Sequence, residues 1–262
     1  MTSKTEPRLL CYDLGEGVTA FSTTRHGGVS EANYASFNIN PYCGDSADHV
    51  ARNRQLLADK LGLPASHIVL PHQVHGIEHR AVAPELLDMS DAVRDKILDG
   101  VDMVTTSMTG VCIGVSTADC IPVLLYDPVA RATAAIHAGW RGTLQRICQR
   151  AVMAMQLRYG TTPDRLRAVV GPGISLANFE VGQEVYDQFA EAGFDLTETA
   201  EWHTKWHLDL PGINIRELIG CGVAPEHIHH ADICTFDHAD DYFSARRLGI
   251  DSGRIYTGIL MR

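Results

Sequence analysis

The middle of this chain carries two apolar runs that cannot rest on a surface with one face in water. Val123-Leu-Leu-Tyr126 and Ala132-Thr-Ala-Ala-Ile136 show no alternation of polar and apolar positions, and Asp127-Pro128 makes a turn between them. Strands of this kind require a sheet covered on both sides, which points to a layered αβ architecture. Polar breaks interrupt the pattern at two chemically useful residues. Cys120 follows Ser116-Thr-Ala-Asp, and His137 ends the second run, so each is expected at the rim of the sheet. A third candidate, His75, lies in Pro71-His-Gln-Val-His-Gly76 after the short run Ile68-Val-Leu70. One Cys with two His is a zinc-ligand set that leaves a fourth position open. The wide spacing is unlike the compact pairs of a structural zinc finger, so tertiary folding must assemble such a site. By residue type alone, a buried, inert thiol with two hydrogen-bonded imidazoles is the commoner outcome.

Several further motifs accompany these residues. They are Ser22-Thr-Thr-Arg-His-Gly-Gly-Val-Ser30, Asn53-Arg54, His72-Gln-Val-His-Gly76, Thr117-Ala-Asp-Cys-Ile-Pro122, His137-Ala-Gly-Trp-Arg-Gly142, Gly171-Pro-Gly-Ile174 and Phe243-Ser-Ala-Arg-Arg247. Together they resemble the YfiH-type laccase-domain family, also named for polyphenol oxidase and for purine nucleoside phosphorylase. The match runs in order from about Thr19 to the C-terminus. The resemblance implies zinc held by His75, Cys120 and His137. It implies phosphorolysis of adenosine, inosine and methylthioadenosine, with adenosine deamination in the same pocket. It also selects His75 over His72, two residues that an extended segment would point to opposite faces.

Substrate contacts are expected from three places. Thr24-Arg-His-Gly-Gly28 is a glycine turn able to bring backbone N–H groups and Arg25 to a ligand; as a bare pattern it reads first as a plain turn with a solvated Arg, and the resemblance reverses that preference. Asn38 and Arg246 are turn or surface residues by composition alone, and the resemblance places them at the pocket, orienting ribose or phosphate. The stretch after His137 begins a helix whose first N–H groups offer a second place for an anion, with Arg141 beside it.

A formal charge of −10, from 22 basic and 32 acidic side chains, argues against binding nucleic acid or an anionic membrane surface. The partners expected are instead a small nucleoside and phosphate. Residues 1–7 lack an apolar leader core, and no stretch approaches the ~20 apolar residues of a membrane span, so a cytoplasmic protein is expected. Seven cysteines without a C-x-x-C pair fit reduced thiols.

The segments between the motifs lead to a set of local expectations. A helix follows Asp45, ends at Gly62 and is capped by the Asp45-Ser46 oxygens. Val101–Thr106 and Val111–Ser116 read as neighbouring strands that a hairpin could join, and residues 85–99 form an excursion. His79 faces solvent, Met153 and Met155 belong to the core, and a helix runs from Phe179 to Phe189 with Glu180 opening it. The whole is expected to be an α+β fold. It would be one domain over residues 1–262, a layered sandwich of two mixed sheets flanked by helices, with residues 1–17 as an N-terminal extension.

Two other functions share these residues. Cys120 with His137 as its base suits an amidase or peptidoglycan-editing hydrolase. A copper polyphenol oxidase would draw on His227-Ile-His-His230, but a multicopper enzyme needs several His-x-His pairs and this chain offers one. Copper is expected to compete with zinc in vitro, since it generally binds such ligands more tightly.

Overall fold

The computed structural model describes residues 5–262; the reading of the first four residues lies outside them. Two mixed sheets pack face to face. In spatial order the first contains Leu9–Tyr12, Val18–Thr23, Ile255–Met261, Cys112–Thr117 and Ile68–Val69. The second contains Ile228–His230, Arg167–Val170, Ile121–Asp127, Ala132–Ala138, Val101–Thr106 and Glu78–Ala81. Each sheet is mostly antiparallel and ends on parallel pairing, Ile68–Val69 in the first and both edge strands in the second. A third, small sheet joins Glu180–Val181, Trp206–Leu208 and Ala200–Trp202.

Strand periodicity then explains the layers. Leu124, Ala135, Val104 and Val169 point from the second sheet onto Ile113, Val115, Ala20 and Ile259 of the first. Their sequence neighbours Val123, Leu125, Ala134 and Ile136 point the other way, against the helices Ile147–Tyr159 and Leu210–Gly220. The outer face of the first sheet, with Phe21, Cys112 and Leu260, is covered by Leu57, Ala58 and Leu61 of the helix Ala47–Leu61. The result is a helix–sheet–sheet–helix stack, the α+β sandwich expected from the mixture of buried strands and helices together with the family resemblance. Each fully buried Val, Leu or Ile in these layers contributes about 1.5–3 kcal/mol relative to exposure.

Several local expectations change. Val101–Thr106 and Cys112–Thr117 are not a hairpin: they pair in different sheets, and Met108-Thr-Gly110 carries the chain from one layer to the other. Both strands are buried along their whole length, so apolar sequence alone does not distinguish pairing beside a neighbour from stacking on it. Within the supposed extension 1–17, Leu9–Tyr12 forms an edge strand paired with Ala20–Thr23. Residues 85–99 contain two short helices, Pro84–Asp88 and Asp91–Leu98.

The helix read from Phe179 starts only at Gln183, because Glu180 and Val181 join the small sheet; Glu180 therefore opens a strand. Gly62 does end its helix in the left-handed conformation, but Ser46 makes no side-chain cap bond there. Met155 is buried and Met153 is half exposed on the opposite helix face. His79 lies in a strand, partly buried and bonded to Thr105 Oγ1 at 2.8 Å, rather than facing solvent. None of the described helices is long and apolar enough to cross a membrane.

Candidate metal centre

Sheet register assembles the site. Ile121 pairs with Ala138 and Pro122 with His137, so Cys120, one residue before the first strand, lands beside the residues that end the second. Met103 pairs with Ile136 on the other side of the same strand, which brings Asp102 alongside His137. The chain approaching Glu78, whose strand pairs with Val101, runs over that carboxylate and supplies His75. One metal-ligand atom each from His75, Cys120 and His137 therefore lie within 4.8 Å of one another, the only group of this kind among the described residues. The two imidazole planes stand at 68° with centroids 4.8 Å apart, and both rings hydrogen-bond the Cys120 sulfur.

Asp102 is the residue that sequence reading missed. It is fully buried and accepts four hydrogen bonds. Oδ1 takes the His137 Nδ1 proton at 2.7 Å and the His75 backbone N–H at 3.0 Å, while Oδ2 takes the N–H of Val74 at 3.2 Å and of Gly76 at 2.7 Å. One carboxylate thus orients the His137 ring, leaving Nε2 free for the centre, and ties down the loop that carries His75. It also holds His75 at φ 63°, a left-handed conformation that a non-glycine residue seldom adopts unaided. Burial works against its charge, but the His137 hydrogen bond, the His137 charge and the backbone amides together keep its pKa below the ordinary carboxylate value. The clue in sequence was a lone Asp in an otherwise apolar strand, Val101-Asp-Met-Val104.

Cys120 sits on an equally constrained turn. Asp119, at φ 85°, is fixed by Thr235 Oγ1 donating to Oδ1 and by the Arg246 backbone N–H donating to Oδ2, both at 2.7 Å. Burial pushes the Cys120 thiol up, yet the charge of His137 and hydrogen bonds from both imidazoles outweigh it and bring the pKa down to about 6. Burial likewise opposes the His137 charge, but the Cys120 thiolate and the Asp102 hydrogen bond reverse this and raise its pKa. In metal-free protein, alkylation of Cys120 by iodoacetamide is therefore expected to hold a level rate down to about pH 6 and to slow below it. A rate still climbing at pH 8, with Cys120→Ser as the blank, would contradict this thiolate–imidazolium pair.

The donor set fits a metal, and so does the space. A Cβ at Gly139 would lie 2.9 Å from His75 Cδ2, 3.1 Å from Cys120 Sγ and 3.7 Å from His137 Nε2. Glycine there keeps open the cradle that the three ligands enclose. Above them is a cavity of about 280 Å³ walled by Asn40, Tyr42, Gln73, Ser116 and Arg254. Its wall is rigid: Gln73 accepts from the Ser116 N–H at 2.7 Å and donates to its carbonyl at 2.8 Å, and Asn40 donates to Ser116 Oγ at 2.6 Å.

None of the three expected substrate residues is part of this wall. Arg25 donates to the carbonyls of Ala35 and Ala239 and lies over the Phe243 ring at 4.9 Å. Asn38 is fully buried, accepts from the Arg254 N–H at 3.1 Å and donates to Asp45 at 2.9 Å. Arg246 is exposed, over Phe179, and it is its backbone that reaches Asp119. The guanidinium in the cavity wall belongs to Arg254. Its own chain holds it, through the carbonyls of Ile250, Ser252 and Gly253. Of the His227–His230 group, His227 ends a short 3-10 helix while His229 and His230 lie on an edge strand, with the His229 ring against Tyr12. The helix after His137 is broken at Arg146, φ 60°, into Trp140–Leu144 and Ile147–Tyr159.

Comparison with known proteins agrees with this architecture. Residues 19–262 match the family model described as multi-copper polyphenol oxidoreductase laccase. The chain is 44% identical to a purine nucleoside phosphorylase of Bacteroides thetaiotaomicron over 93% of its length and 92% of that protein. It is 40% identical to the adenosine deaminase RL5 of an unknown prokaryotic organism, covering 93% of this chain and 94% of the other. Among solved structures, the hypothetical protein YfiH of Bacillus licheniformis superposes with a TM-score of 0.91 at 29% identity, over 98% of this chain and 97% of that one. YlmD of Geobacillus stearothermophilus gives 0.88 at 30% identity, over 96% and 94%.

Proposed function

This chain belongs to the multi-copper polyphenol oxidoreductase laccase family, and from that premise we propose that it is a zinc-dependent purine nucleoside phosphorylase with adenosine deaminase activity. Adenosine, inosine or methylthioadenosine and phosphate would give the free base and the ribose 1-phosphate. The observation that carries the reading is the convergence of His75, Cys120 and His137 at the floor of a cavity of nucleoside size. The names of relatives similar over nine-tenths of the chain support it.

His75, Cys120 and His137 would hold the zinc, since a thiolate with two imidazoles suits that ion. Bound there, zinc supplies a Lewis acid with an open position. The chain's own residues do the rest. Asp102 keeps the Nδ1 proton on His137, so that Nε2 faces the centre. In phosphorolysis the C1′–N9 bond breaks as positive charge builds on the ribose and a phosphate oxygen bonds to C1′; a fixed cation must hold that phosphate. Arg254 is placed for this, and Asn38 steadies it through its backbone N–H. Arg25 and Arg246 act one layer further out, by fixing the Ala35 and Ala239 carbonyls and the Asp119 turn. Arg254→Ala is expected to raise the KM for phosphate by about tenfold or more with unchanged zinc content. An unchanged KM would move the anion site elsewhere in the cavity wall.

A second reading has its own observation. Cys120, His137 and Asp102 lie in line as a nucleophile, a base and an orienting carboxylate, which would serve a cysteine-dependent amidase or peptidoglycan-editing hydrolase. Metal analysis of protein purified without added metal, followed by product analysis with adenosine and phosphate, separates the readings. Stoichiometric zinc with adenine and ribose 1-phosphate formed only when phosphate is present supports the first. Hydrolysis of an amide substrate that survives chelation but not alkylation supports the second. Stoichiometric copper with strong blue absorption overturns both.

A further inference from the structure

Next to the metal cavity, and sharing Tyr42 with it as a wall, is a second cavity of about 490 Å³. It lies between the helix Ala47–Leu61, the strand Ile68–Val69 and the helix Asp91–Leu98. This is the size of a small-ligand site. Two guanidiniums line it, Arg54 from the first helix and Arg94 from the last.

Arg54 is the unusual one. It is partly buried, and its one hydrogen bond to protein runs from Nη2 to the Ile68 carbonyl at 2.8 Å. Among the described residues no carboxylate stands within ion-pair distance of it. Burial pushes its pKa below the usual guanidinium value against smaller opposing effects of Tyr256, Tyr42 and Asp95, and the charge of Arg94 adds to the lowering. A cation withdrawn from water without a paired acid is costly unless something anionic meets it. Among the described residues its Nε and Nη1 donors meet no acceptor.

Arg94 is arranged similarly. Its side chain is 15% exposed, donating to the Ser66 carbonyl and to Asp91, whose own side chain is 87% exposed. Asp95 is also exposed. The acids therefore stand at the watery rim, where their charge is screened, and the guanidiniums lie inside. Tyr42 and Ser66, exposed residues whose hydroxyls have no protein partner among the described residues, line the same space.

We propose that this cavity is a binding site for a phosphate group, with Arg54 and Arg94 as its clamp and the hydroxyls of Tyr42 and Ser66 as further donors. A tetrahedral oxyanion has acceptors enough for both forks and both hydroxyls, and planar guanidiniums suit it better than a point charge. The cavity is larger than the ion, so the phosphate is either free or carried on a small organic molecule. The site is separate from the Arg254 wall and does not depend on which reaction the metal centre performs.

The test uses zinc-loaded, full-length Arg254→Ala protein, in which the metal cavity has lost its own cation. Isothermal titration with inorganic phosphate and with adenosine 5′-monophosphate is compared with the same protein carrying Arg94→Ala or Arg54→Lys. Retained binding of either probe that falls about tenfold or more in both double variants, with zinc content and melting temperature unchanged for Arg94→Ala, is the expected result. Tighter binding of inorganic phosphate marks the free ion as the ligand, and tighter binding of the nucleotide marks a phosphate-bearing molecule. Absence of binding for both probes, or binding that Arg94→Ala leaves unchanged, overturns the site. Because adenosine cleavage by otherwise wild-type protein is measured separately, failure here leaves the reading of the metal centre standing. Should Arg54→Lys misfold, Arg94→Ala decides alone, since its short helix buries only Leu98.

Discussion

Protein carrying Cys120→Ala is expected to bind no zinc and to lose phosphorolysis and deamination together. The substitution removes the one anionic ligand of the three, and the two imidazoles that remain lose the thiolate that accepts their hydrogen bonds. Loss of Lewis-acid stabilisation is worth several kcal/mol in the transition state, a fall in kcat/KM on the order of 10³-fold. The fold is expected to survive, since Cys120 lies on a turn held by Asp119, Thr235 and Arg246 rather than by its own side chain. Metal analysis and circular dichroism, run beside the two assays, check each part. Zinc lost with phosphorolysis kept in full would make the metal structural and remove the proposed role of the centre. Activity lost with zinc retained at full stoichiometry would favour the nucleophilic cysteine instead.

The second large effect belongs to a residue that touches neither metal nor substrate. Asp102→Asn is nearly isosteric, but an amide cannot accept all four of the hydrogen bonds that the carboxylate accepts now. Its NH2 group must face either the His137 Nδ1 proton or the N–H groups of Val74 and Gly76, setting donor against donor. Both protein arms of the site loosen, because the His137 ring loses its orienting partner and the His75 loop loses its anchor. Zinc affinity is expected to fall 10- to 100-fold, as is typical when the carboxylate behind a ligating histidine is removed. Leaving buried donors unmet should also cost on the order of 1–3 kcal/mol of stability. A competition titration against a chromophoric chelator gives the first quantity and urea unfolding the second. Unchanged affinity would show that His75 and His137 hold their positions without Asp102. Restored activity at high zinc concentration would separate a positioning role from a direct part in the reaction.

What was legible in the sequence followed from local rules. The runs Val123–Tyr126 and Ala132–Ile136 had no polar face, so a sheet covered on both sides was the only place for them. Gly62 ended its helix, and Cys120 and His137 stood out because they break apolar runs at strand ends. The family motifs added His75, which periodicity could not separate from His72.

Tertiary structure decided the rest, because the deciding contacts are between strands. Val101–Thr106 and Cys112–Thr117 have the same burial pattern, and only the pairing partners of each show that they belong to different layers. Asp102 gains its meaning from lying beside His137 across the Met103–Ile136 register, a neighbour 35 positions away that no local pattern encodes. Arg25, Asn38 and Arg246 were chosen by motif, yet what stands in the cavity wall is Arg254, brought there by the strand Ile255–Met261 pairing with Cys112–Thr117. A side chain's type is written in the sequence, but whether its charged end meets a carbonyl, a carboxylate or an open cavity depends on which elements pack against it, and packing is a property of the assembled layers.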